Sequence, residues 1–288
     1  MAEERILYRY FKLGRGVEAL KKKQLYFSDV TCYNDPYELI PAADVSDFFC
    51  KIPSNPLAEI QQILKDEQGL AFLRAIEDKD GISGSAMAGV AMGGLISFTG
   101  TLALLGLYHL YKKLGEDDKE QKERLIDFAI CYFPVLNSSK TCCFSEVADD
   151  LLLWAHYADS HKGIVIGFSS SLNYWPTDHW REVTYSNTRI KLPEKDTEIN
   201  EYVWRMLTRK ARCWQYEKEW RIISFRLKRD NHLIDFNPDS VKEIRIGLNV
   251  EEKARQRIID CRNRYYPNAT IYQAKRNKSE FKLDFEAI

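Results

Sequence analysis

TCCFSEVADDLLLWAHYADSHKGIVIGF, residues 141–168, decides the fold. Thr141–Ser145 and Gly163–Phe168 are short apolar runs bounded by turn residues, the pattern of buried strands. Between them Trp154, His156 and Tyr157 form an aromatic group. It reads either as a helix face or as a surface on which a base or a nicotinamide ring could stack. Further strand signals follow at Trp180–Tyr185, Trp220–Phe225, Val241–Ile246, Thr270–Ala274 and Phe281–Phe285, with helical stretches at about Thr197–Ala211 and Glu251–Cys261.

Upstream, Arg5–Phe11 reads as a strand, Val17–Lys23 as a short helix and Leu25–Ser28 as a second strand. A turn follows at Asn34-Asp35-Pro36. Leu57–Ile76 and Leu125–Phe133 have helical character. The expected class is α+β: a mixed or antiparallel β core from residues 1–44 and 136–288, interrupted by an apolar helical insertion at 45–135.

The insertion contains an unusual run. Gly81–Tyr111 holds no Asp, Glu, Lys or Arg, and small residues recur every fourth position from Gly81 to Thr101. Such a stripe lets helices approach closely. A buried hairpin breaking at Gly93-Gly94 is the expectation, since each arm is too short for a hydrocarbon core of roughly 30 Å. A membrane-associated element and an oligomerisation surface are the alternatives.

The chain has 288 residues, 45% hydrophobic and 29% charged, which excludes disordered and collagen-like classes. Its 42 basic and 42 acidic residues balance, which argues against wholesale coating of nucleic acid. Seven cysteines and a charged opening, MAEERILYRY, point to a reducing cytoplasmic setting. Neither the cysteines nor His156 and His161 stand at metal-ligand spacing, so no metal is expected. Walker, GxGxxG, GxSxG and HExxH motifs are missing from the sequence.

Four clusters join polar groups to aromatics. On the first strand, alternation sets Arg9 opposite Tyr8 and Tyr10, and an arginine so flanked suits a pyrophosphate or a solvent-facing position. Tyr33–Glu38, with Asn34, Asp35 and Glu38, is a capped turn or part of a site. Cys143–Glu146 with Trp154, His156 and Tyr157 is the third. The fourth is Trp214–Arg221, where Glu217 and Glu219, two apart on a strand, would face one way and divide acid and base roles, or pair with basic neighbours. Trp220 and Arg221 close it. The fourth cluster lies in a segment, Arg205–Arg229, with nine basic residues and two acidic ones. Interleaved with Trp204 and Trp214, that segment also suits single-stranded nucleic acid or a charged sheet edge.

These clusters, in this order, resemble a bacterial family catalogued as domain of unknown function 2971. The residues that carry the resemblance are LYRY (7–10), LYFSDVTCYNDPYE (25–38), CFSE (143–146), LLLWAHYADSHKGIVIGF (151–168) and WQYEKEWRII (214–223). A weaker resemblance is to the ADP-ribosyltransferase fold, through a basic-aromatic first strand, a Ser-bearing second strand and a Glu-x-Glu third strand.

That second resemblance implies an enzyme that splits NAD and passes ADP-ribose to a macromolecule such as RNA or DNA, as a toxin-type or phage-defence effector. NAD is then its substrate. By the same resemblance Arg9 would hold phosphate or ribose, Ser145 would position the nicotinamide ribose, and Glu219 would steady the transition state. Glu217 would orient the acceptor, with Trp154 and Tyr157 clamping nicotinamide. Here Ser145 stands in CFSE, where that fold has Ser-Thr-Ser. A nucleic-acid-binding module using 204–229 and a membrane-acting effector using 81–111 are the other readings. An inhibitory partner or a homo-oligomer would fit the first.

Overall fold

The first strand of the chain lies in the middle of its sheet, because both edges of Ile6–Phe11 (β1) are claimed by strands from beyond residue 139. The computed structural model describes residues 4–30, 33–35, 38, 65–77, 107–108, 111–115, 117–123, 125–126, 139–171, 180–190, 199–224 and 231–288. Most of the uncharged run 81–111 lies outside these residues, as do Pro36, residues 57–64 and residues 127–133. Among the described residues no helix is long and apolar enough to cross a membrane.

Helix α1 (Leu13–Lys22) follows β1, then β2 (Gln24–Tyr26), β3 (Ser28–Asp29) and α2 (Glu67–Glu77). β4 (Lys140–Ser145), α3 (Leu151–Tyr157) and β5 (Ile164–Ser169) form the central strand-helix-strand unit. β6 (Trp180–Glu182), β7 (Thr184–Ser186), α4 (Ile199–Leu207) and β8 (Arg209–Ala211) come next. A 3₁₀ turn (Arg212–Glu217) leads into β9 (Glu219–Ser224) and β10 (Leu233–Asp235). The chain ends with β11 (Val241–Ile246), α5 (Glu252–Tyr265), β12 (Thr270–Arg276) and β13 (Leu283–Ala287).

The main sheet has nine strands in the order β13-β12-β11-β5-β1-β4-β9-β6, with β3 added beside β4. Within it β11 and β12 pair in parallel, joined by α5, and the other neighbours run antiparallel. The class is therefore mixed α+β with a mostly antiparallel sheet. Leu7, Phe144, Ile166, Ile222 and Ile244 on one face join Leu20 and Ile258 from α1 and α5 in the larger core. The other face carries a smaller apolar cluster around Trp154, Val165 and Leu283.

Several boundaries differ from expectation for local reasons. Helix α1 begins at Leu13, before Val17, although two glycines lower its propensity. Gly16 is needed there: a Cβ would stand 2.5 Å from Ile164 Cγ1, so its bare backbone lets the helix lie on β5. The helix stops where Lys23 turns left-handed, at φ 57°, and donates its backbone N–H to Ala19.

Trp180–Tyr185 is two strands rather than one. β6 edges the main sheet while β7 pairs in parallel with β8, and buried Val183 marks the switch. Likewise α4 ends at Leu207 and β8 follows, because the Thr208 carbonyl accepts from the Thr184 backbone N–H at 2.8 Å. That bond starts the β7–β8 ladder.

Candidate functional site

Three neighbouring strands place one residue each in a single cross-strand row: Tyr8 on β1, Ser145 on β4 and Glu219 on β9. Alternation then puts Tyr10, Cys143 and Arg221 on the same face. A cavity of about 230 Å³ opens over this row, walled also by Tyr33, Asn34, Tyr157, Lys210 and Glu217.

Glu217 and Glu219 converge, but not by strand alternation as expected. Glu217 ends the 3₁₀ turn, Lys218 takes a left-handed conformation at φ 41°, and Glu219 opens β9. Ser145 locks this reversal: its hydroxyl donates to the Glu217 carbonyl at 2.6 Å and accepts from the Val147 N–H at 3.0 Å. Both carboxylates consequently reach Lys210, whose Nζ donates to Glu217 Oε2 at 2.7 Å and to Glu219 Oε2 at 3.1 Å.

The charge network continues inward. Arg221 donates from Nε to Glu219 Oε1 at 2.7 Å, from Nη1 to the Leu207 carbonyl at 2.6 Å, and from Nη2 to Glu38. Its guanidinium lies 4.1 Å from the Tyr33 ring centre. Glu38, Lys210, Glu217, Glu219 and Arg221 are all buried, three carboxylates against two cations. Burial of such a set is costly unless each charge keeps its partners.

These surroundings tune ionisation. Burial pushes the Glu219 carboxyl up, but Arg221 and Lys210 outweigh it and hold the group at about 2. For Glu38 burial wins over the pull of Arg221 and raises the carboxyl. Burial works against the charge on Lys210, yet Glu219, Glu38 and Glu217 outweigh it and hold its proton more tightly than usual. Tyr157 is pushed up by burial and by the Glu217 charge, so its phenol stays protonated and donates to Glu217 Oε1 at 2.7 Å. Asn34 donates to the same phenol oxygen at 2.6 Å, while its carbonyl oxygen accepts from Lys210 at 3.3 Å.

Tyr33 and Asn34 thus form part of the wall of the site. Buried Asp35 beside them accepts from the Ala211 N–H at 3.2 Å and so ties Asn34 to β8. Tyr10 lines the cavity and donates its hydroxyl to the Val147 carbonyl at 2.9 Å. Tyr8 reaches away to Glu243 at 3.4 Å.

Arg9 is held within the sheet. Its side chain leaves β1 on the face opposite Glu219, against Phe11 and Phe144. β1 pairs with β4 at Ser145 and β3 pairs with β4 at Thr141, which leaves a gap between. The Arg9 guanidinium bridges that gap, donating to the Cys143 carbonyl at 2.9 Å, to Cys142 Sγ at 2.8 Å and to the Tyr26 carbonyl at 3.2 Å. Arg9 is also among the residues that line the cavity.

Three expected contacts lie elsewhere. Trp154 is fully buried, its indole N–H donating to the Ala148 carbonyl at 2.9 Å, and it packs on Tyr10 and Phe285. It has no free face for a nicotinamide ring. His156 is exposed on the outer side of α3. Trp220 points to the opposite face from Glu219 and donates to Glu146. As for the basic segment, Lys210 and Arg221 are spent in buried ion pairs, and residues 225–230 lie outside the described set.

Lys210 is the residue that sequence reasoning passed over. Among Arg209, Arg212 and Lys218 nothing distinguishes it, and only the short strand β8 turns it inward. Tyr185, whose hydroxyl accepts the Glu219 backbone N–H at 2.8 Å, was equally hidden in what read as a continuous strand. Among the described residues no group of three or more His, Cys, Asp or Glu is placed to hold a metal ion.

Residues 153–222 match a family model described as a protein of unknown function, DUF2971. The match runs from α3 to β9 and contains Tyr157, Lys210, Glu217, Glu219 and Arg221. Neither a curated protein nor a solved structure matches the chain.

Proposed function

We propose that the cavity receives the nicotinamide-ribose end of NAD and that the protein transfers ADP-ribose to an acceptor hydroxyl. The observation that carries this reading is the row Tyr8–Ser145–Glu219 across β1, β4 and β9, with Glu217 and Lys210 beside it. Those are the three strands, in the order, that an ADP-ribosyltransferase-like fold would use. The chemistry of the lining fits: two carboxylates with aromatic walls from Tyr10 and Tyr157. At about 230 Å³ the cavity is smaller than the roughly 300–1,000 Å³ of pockets that enclose drug-sized ligands, so only the reacting end enters.

The residues divide the work. Glu219, held ionised by Arg221 and Lys210, sets a negative charge where the ribose carbon turns positive as nicotinamide leaves with the bonding electron pair. Glu217 takes the proton of the acceptor hydroxyl as its oxygen bonds that carbon. Lys210 and Tyr157 hold Glu217 on both oxygens and so fix its aim. Ser145 is a positioning residue, acting through the turn. Arg9, committed to backbone carbonyls, is left out of phosphate binding in this reading.

The test compares NAD binding with nicotinamide release in wild type, Glu217→Gln and Glu219→Gln. Retained binding with release lowered by roughly 100-fold or more supports the roles, since general-base steps alone contribute that much. Equal release by all three folded proteins would remove both residues from the chemistry.

A further inference from the structure

A second cavity, of about 320 Å³, lies on the other side of Lys210 from the carboxylate site. Its walls are the ends of β7 and β8 with the loops that follow them. On β8, alternation turns Lys210 toward Glu217 and Glu219 and sends Arg209 the other way. Arg189, Arg209 and Arg212 line this second space, with Ser186, Asn187 and Thr188 along its rim.

Two acidic residues share the lining: Glu38 pairs with Arg221, and Asp35 accepts from the Ala211 N–H and keeps its negative charge. Among the described residues neither Arg209 nor Arg212 forms an ion pair, and the buried Nε of Arg209 has no hydrogen-bond partner. Burial and the nearby charge of Arg205 pull the Arg209 guanidinium below its ordinary value. Guanidinium groups held close together repel one another, and a bound anion turns that repulsion into attraction. Guanidinium forks, hydroxyls and an amide are the donor set that phosphoryl oxygens take.

We infer that this cavity is a phosphate site for a nucleotide-type ligand, bound by Arg209 and Arg212. The ligand's phosphates come either from a dinucleotide or from a nucleic acid strand, two sources with one chemistry. The inference does not depend on NAD turnover, because phosphate binding is measurable with no nicotinamide released.

The experiment is calorimetric titration of the full chain with inorganic pyrophosphate. Wild type, Arg209→Gln, Arg212→Gln and Arg15→Gln are compared, the last being a control on helix α1. Arg212 is exposed, so its variant keeps the test open if Arg209→Gln fails to fold. Pyrophosphate binding by wild type and Arg15→Gln, weakened roughly tenfold or more in the other two, is the expected result, the factor carried by one lost charge-assisted contact. No binding by wild type, or equal binding by all four, would overturn the site. Competition then separates the sources. Displacement of pyrophosphate by ADP-ribose supports a dinucleotide, displacement by a single-stranded RNA oligomer supports a nucleic acid, and displacement by neither overturns a nucleotide-type ligand.

Discussion

Lys210 donates to Glu219 across 3.1 Å, with the lysine side chain 3% exposed and the glutamate 6%. Because the same ammonium also serves Glu217, one cation holds both carboxylates of the site in place. Losing it would take the cation from buried Glu217, while Glu219 would keep Arg221 alone. Lys210→Met should therefore destabilise the protein by about 3–5 kcal/mol, the cost of breaking a buried pair from one side. Urea unfolding measures this, and a loss under about 1 kcal/mol would show that water reaches the network.

Acid should weaken the protein through Glu219. Its carboxyl titrates at about 2 when folded, against 4.5 ordinarily, so its contribution is present above the ordinary value and fades as pH falls toward 2. The shift is worth about 3 kcal/mol at most. Glu38 works in the opposite sense: a raised carboxyl favours the folded state at low pH and loses that advantage as pH rises through its folded value. Stability measured from pH 5 to pH 2 should fall more steeply in wild type than in Glu219→Gln. Parallel curves would contradict the assignment.

Ser145→Ala removes the hydroxyl that joins the Glu217 carbonyl to the Val147 N–H. The buried Glu217 carbonyl and the partly buried Val147 N–H then lose this partner, at about 1–3 kcal/mol for an unsatisfied buried group. If Ser145 acts only through the turn, nicotinamide release in Ser145→Ala should fall through kcat with KM for NAD nearly unchanged. A rise in KM alone would mean that the hydroxyl touches substrate.

Gly16→Ala drives a methyl group into Ile164 at 2.5 Å. Overpacking of this kind costs about 1–3 kcal/mol. Gly16→Ala with Ile164→Val should recover part of that loss, read from thermal unfolding of the two variants and of Gly16→Ala alone.

How far the fold is legible in the sequence depends on whether the signal is local. β4 and β5 are apolar runs whose burial follows from composition, and both are found where the pattern puts them. The split of Trp180–Tyr185 is not readable, since it rests on a backbone bond between Thr184 and Thr208, far apart in sequence. The same holds in the site. Glu217 and Glu219 stand out as a pair, yet their convergence comes from a left-handed Lys218 and not from strand alternation. Arg9 and Trp154 carry the right chemistry for a ligand, but sheet pairing and core packing consume them. Lys210 carries no signal at all until β8 turns it inward.

The most direct measurement is release of labelled nicotinamide from NAD by the purified full chain, with and without cellular RNA and protein. The account predicts release by wild type, stimulated by whichever fraction contains the acceptor hydroxyl, and its collapse in Glu219→Gln with NAD still bound. No release from folded wild-type protein under any addition would contradict the account.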